Sequence, residues 1–91
     1  MAHLVALERS SGRRITLALE PEPCCYLETI DEAADFFTTQ LFGAASVAQL
    51  AGATSLTPLA ARRALHTHLG LCLDMCHAAV EFEEPAACIA R

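Results

Sequence analysis

The chain contains no lysine, and its six cations are scattered arginines. Without a block of Lys or Arg there is no basic patch for a phosphate backbone, which argues against nucleic-acid binding. Long apolar runs are also missing. None approaches the roughly 18 residues that would mark a bilayer span. The N-terminus, MAHLVALERS, lacks a charged segment followed by a long apolar one, so no secretory leader is expected and the reading points to a cytoplasmic protein without a membrane partner. There is no C-x-x-C pair. The five cysteines, Cys24, Cys25, Cys72, Cys76 and Cys88, are odd in number and irregularly spaced, which argues against a disulfide framework. They read as reduced thiols behaving as small buried hydrophobes, with a zinc site on Cys72, Cys76 and His77 as the sharper alternative. No internal repeat or low-complexity tract is present.

What is present is an apolar, acidic chain. Of 91 residues 54% are hydrophobic, with mean hydropathy +0.36 and net charge −5. That length allows one domain, residues 1–91. A closed eight-stranded α/β barrel takes about 250 residues. So apolar a composition in so short a chain suggests faces covered by missing protein or by other copies.

Two segments share one design. Ile15 to Glu20 alternates, with Ile15, Leu17 and Leu19 on one face and Thr16, Ala18 and Glu20 on the other. Pro21 and Pro23 end it. Residues 70–74 (GLCLD) repeat the parity: Leu71 and Leu73 on one face; Gly70, Cys72 and Asp74 on the other. In both, an acid comes last on the small-residue face.

Between and around them lie helical signals. Leu4, Val5 and Leu7 suggest a helix over 2–10 stopped by Gly12, without an N-cap, as if its first turns were missing. Thr29 and Glu32 form a capping box before Ile30, Ala33, Ala34, Phe37 and Leu41. Gly43 stops that helix, and Ser46 to Ala51 reads as a weaker helical turn ending at Gly52. Thr57 caps a helix with Pro58 at its first position. It carries Leu59 and Leu65 inward, Arg62 and Arg63 outward, and ends at Gly70. Pro85 can start another. Strands separated by helices predict parallel pairing with right-handed crossovers.

If the strands are neighbours, Glu20 and Asp74 meet at their carboxyl ends with His77 close by. Two carboxylates and an imidazole suit Mn²⁺, Mg²⁺, Co²⁺ or Zn²⁺. Such an ion polarises a carbonyl or phosphoryl oxygen or acidifies a bound water. The plainer reading is that Asp74 and Glu20 each merely cap the following helix or face water, and that His77 is a partly buried, hydrogen-bonded histidine. Glu22, between two prolines, is a candidate substrate contact. His66 and His68 read as surface residues near a helix C-terminus. Glu28, Glu81, Glu83 and Glu84 read as solvated or helix-N-terminal acids.

The segments LALEPEPCC and HLGLCLDMCHAAVEFEEP resemble the xylose-isomerase-like, or endonuclease-IV-like, TIM-barrel superfamily, and within it the EboE-type metabolite traffic proteins, relatives of sugar phosphate isomerases and epimerases. The resemblance implies a partial TIM barrel, about two βα units with parallel strands 15–20 and 70–74, with Gly43 to Ser55 as an insertion. It makes Glu20, Asp74 and His77 metal ligands and implies isomerase or epimerase chemistry, or trafficking, on a small sugar or polyol phosphate. Catalytic residues are not assigned. A fragment of such a barrel would be inactive alone, its missing half supplied by other protein or by further copies. The rival expectations are a small homo-oligomeric interaction module without catalysis and the zinc-binding module on Cys72, Cys76 and His77.

Overall fold

A computed structural model describes the whole chain, Met1–Arg91. Its elements follow from local chemistry. Helix α1 spans Ala2–Ser11 and ends where Gly12 takes a left-handed conformation, φ 69°, and donates its N–H to the Glu8 carbonyl. Strand β1, Leu17–Leu19, follows. The Thr29–Glu32 capping box opens α2, Ile30–Phe36. This helix widens into a π-helical turn over Phe37–Leu41. Gly43 is needed at its exit, because a Cβ there would lie 2.6 Å from the Thr39 carbonyl oxygen. Helix α3 then runs Ala44–Thr54, and α4 runs Pro58–His68 under a Thr57 cap. Strand β2, Leu69–Leu71, leads into the short helices α5, Met75–Val80, and α6, Pro85–Ala90.

The strands pair in parallel, as their helical separation predicts, with Leu17 opposite Leu69, Ala18 opposite Gly70 and Leu19 opposite Leu71. They are the whole sheet. The core gathers Phe37, Val47, Leu50, Ala61, Leu65 and Leu69, with Phe42 set edge-on to Phe37. It is therefore built by α3 and α4 against the π turn and one strand.

This architecture corrects the expected partial TIM barrel. Helix accounts for 62% of the chain, and the fold is a small, mostly helical domain with one short parallel sheet. The expected strands 15–20 and 70–74 shrink to two of three residues each. A barrel wall buries its bulky strand face under helices. Here Ile15 is 47% and Leu17 51% exposed, so that face is largely uncovered. The expected insertion is α3, which supplies Val47 and Leu50 to the core; Gly52 lies inside this helix instead of ending it.

Smaller differences follow from helix phase. Helix α4 buries Ala61, Leu65 and His68. Leu59 sits two residues from Ala61, about 200° around the axis, and is exposed. His68, expected at the surface, is only 1% exposed, whereas His66 is exposed and stacks on Phe42. No helix is long and apolar enough to cross a membrane.

Candidate metal centre

Glu20 follows β1 directly, where Pro21 turns the chain away from the sheet. Asp74 and His77 sit beyond β2, at the start of α5. Parallel pairing puts both carboxyl ends on the same side of the molecule. One ligand atom from each of Glu20, Asp74 and His77 thus falls within 4.8 Å of the others. Nothing in the local sequence of either segment alone would bring them together.

The three groups are differently occupied. Asp74 is the N-cap of α5: its Oδ1 accepts the N–H of Cys76 at 2.7 Å and that of His77 at 3.3 Å. These bonds, Cys76 first, hold its carboxyl below the usual range and keep it ionised. The capping reading of Asp74 therefore holds for one oxygen, while Oδ2 takes no part in the cap. The Nδ1 atom of His77 is shielded from water and lies 3.2 Å from Glu20 Oε1, but the pair lacks hydrogen-bond geometry. A solvent-shielded nitrogen without a partner is uncommon. Both side chains remain about one-third exposed, so the centre is open on one side.

The donor set passes a chemical test for a divalent ion. It offers carboxylate oxygens and a neutral-capable imidazole nitrogen, with one nitrogen left unsatisfied. Cys72 lies alongside, its thiol pushed up by burial and then by the carboxylates of Glu20 and Asp74. Cys76 is exposed and does not converge with His77 and Cys72 into a metal group of their own.

Glu22 is exposed in the turn after β1 and lies outside the convergent group. Its backbone closes that turn: the Glu22 N–H donates to the Leu27 carbonyl, and the Glu22 carbonyl accepts the Cys25 N–H. Several acids read from sequence as solvated have structural partners. Glu83 accepts the Ile30 N–H at 3.0 Å, tying α2 to the distant segment before α6. Glu28 accepts the Cys24 N–H, stabilising a residue held at φ 65°. Sequence parity had placed Cys72 on the face of Asp74, the one visible hint that it belongs beside this group. Nothing comparable marked the bridge from Glu8 to buried His68, made at 3.0 Å.

An apolar groove of about 390 Å³ is separate. It is lined by residues including Leu17, Leu41, Leu50, Leu65 and Leu69, and none of the three converging residues borders it. No protein-family model, curated protein or solved structure matches this chain.

Proposed function

We propose that this chain binds a divalent metal ion through Glu20, Asp74 and His77. The observation that carries the reading is the shielded His77 Nδ1, which faces Glu20 at 3.2 Å without a hydrogen bond, beside a carboxylate with one oxygen committed to a cap. When bound, the ion supplies a Lewis acid for a carbonyl or phosphoryl oxygen. Glu20 and Asp74 provide negative charge to hold it, and the α5 cap fixes the Asp74 carboxylate. A small sugar or polyol phosphate, rich in oxygen donors, is the partner such a centre suits.

The test is equilibrium dialysis of the purified chain against Mn²⁺, Mg²⁺, Co²⁺ and Zn²⁺ separately. One tightly held ion per chain is expected for at least one metal, with binding lost in His77→Ala and in Glu20→Ala. Equal retention by the parent chain and both variants would overturn the reading. Should turnover of a sugar phosphate be found, Glu20→Ala and Asp74→Ala should abolish it.

A second reading, a self-associating interaction module, draws on a different observation. Only 12 residues are buried, while Phe82 is 96%, Tyr26 87%, Ile89 75% and Val80 60% exposed. Both strands are open at one edge. Light scattering on a size-exclusion column should then give a mass above 9.7 kDa. A strictly monomeric peak at every concentration would remove this reading.

A further inference from the structure

We propose that Cys72 is the fourth ligand of the Glu20–Asp74–His77 centre and that the ion it selects is zinc. The inference rests on the three-ligand reading above and narrows it to one class of metal. It begins with sheet register. Leu19 is opposite Leu71, so one further step places Cys72 opposite Glu20. The last bond of the Leu19–Leu71 pairing, from the Cys72 N–H to the Leu19 carbonyl at 2.8 Å, holds Cys72 at the end of the sheet. Directly opposed residues of neighbouring strands project to the same face. The Cys72 thiol therefore stands beside the Glu20 carboxylate, with Asp74 two residues further along. It is half-buried, as a thiol committed to an inner position would be.

Distances suit a small ion. In a tetrahedral zinc site, ligand atoms about 2.0–2.3 Å from the metal are about 3.3–3.8 Å from one another. His77 Nδ1 and Glu20 Oε1 are 3.2 Å apart, and the Asp74 donor lies within 4.8 Å of both. The Cys72 sulfur lies outside that 4.8 Å group, so it joins only by rotation about its single χ1 bond, which moves it without disturbing the backbone. On coordination the thiol proton passes to solvent as the sulfur–metal bond forms. Thiolate and imidazole donors favour Zn²⁺ or Co²⁺, whereas Mg²⁺ requires an octahedral oxygen shell. Exposed Cys76 is not needed: its backbone N–H serves the Asp74 cap, and it sits on α5 away from the strand register that sets Cys72 beside Glu20.

Cobalt reports sulfur ligation directly. Co²⁺ added to the full chain should produce a sulfur-to-cobalt charge-transfer band with the visible bands of a four-coordinate ion, and Zn²⁺ should displace both. Cys72→Ser should lose the charge-transfer band and weaken zinc at least about 10-fold, since even outer-shell partners of metal ligands are worth about 10–100-fold. Cys76→Ser should keep the band. Far-ultraviolet circular dichroism of Cys72→Ser and Cys72→Ala separates ligand loss from unfolding. Cobalt binding without the band in the parent chain, or a band that survives in folded Cys72→Ser, overturns the thiol ligand and leaves the three-residue centre standing. No cobalt or zinc binding at all overturns the zinc centre, and binding of none of the four ions overturns both readings.

Discussion

Asp74 shows how one side chain can serve structure and chemistry together. Oδ1 caps α5, and the same carboxylate brings an oxygen within 4.8 Å of Glu20 and His77. The two roles separate experimentally. Asp74→Asn retains a good capping side chain but removes the charge. It should keep the helical circular dichroism of the parent while losing metal binding; retained binding would mean the carboxylate is only a cap. Glu32 offers a cleaner view of pH. Its carboxyl is held below the usual range by the N–H of Glu28 and then of Thr29. With a folded-state value below the unfolded one, the ionised group contributes stability above the unfolded range. That contribution is lost as pH falls through the lowered folded-state value. Glu32→Gln, which can still close the capping box, should flatten the acid limb of stability against pH; an unchanged slope would contradict the assignment. His68, like Leu59, lies on the side of α4 opposite to that expected from sequence. Its ring nitrogens face the Ile15 carbonyl at 2.7 Å and Glu8 Oε2 at 3.0 Å, joining the connection after α1 to α4. His68→Phe should cost about 1–3 kcal/mol in denaturant unfolding by leaving the Ile15 carbonyl and the Glu8 carboxylate without their partner.

At the scale of elements, the signals that survived folding were those in which one side chain answers one backbone need. The Thr29–Glu32 box, the Thr57 cap with Pro58 and the Gly12 stop all fall where their spacing predicts. Thr57→Ala should destabilise the domain by about 1 kcal/mol through loss of its bond to the Ala60 N–H. Elements defined by periodicity fared less well. Ile15 to Glu20 alternates over six residues, but a ladder extends only where a partner strand lies beside it, and β2 is short. Gly52 marked a break that α3 ignores, because its neighbours Val47 and Leu50 gain more from core packing than one helical glycine costs. Helix α5 carried little periodicity in its six residues and is organised by Asp74.

For the molecule as a whole, the core is small and mostly contributed by α3, α4 and the π turn. Leu65, 3% exposed, touches its centre, and Leu65→Ala should cost about 2–5 kcal/mol, a large part of the stability of a 91-residue domain. Loss of the cooperative thermal transition is the expected result. The uncovered apolar residues have a consequence at the same scale. If copies associate through an open strand edge, Leu17→Lys should lower the mass measured by light scattering, since charge on an edge strand disfavours further pairing. Association unaffected by this change would point instead to exposed residues such as Phe82 and Ile89.

Residue order is enough to mark the helix caps, the two alternating segments and the position of Glu20, Asp74 and His77 at their carboxyl ends. Each depends on local hydrogen bonding or on the parity of a short extended segment, and both are set by neighbours along the chain. Tertiary structure alone decided that these elements make a mostly helical domain in place of a piece of barrel. It also decided that α3 is core, that His68 is buried, and that the Cys72 N–H bonds the carbonyl of Leu19, just before Glu20. Those outcomes depend on which faces find partners across the molecule, and hydrophobic burial has no direction that a linear pattern can record.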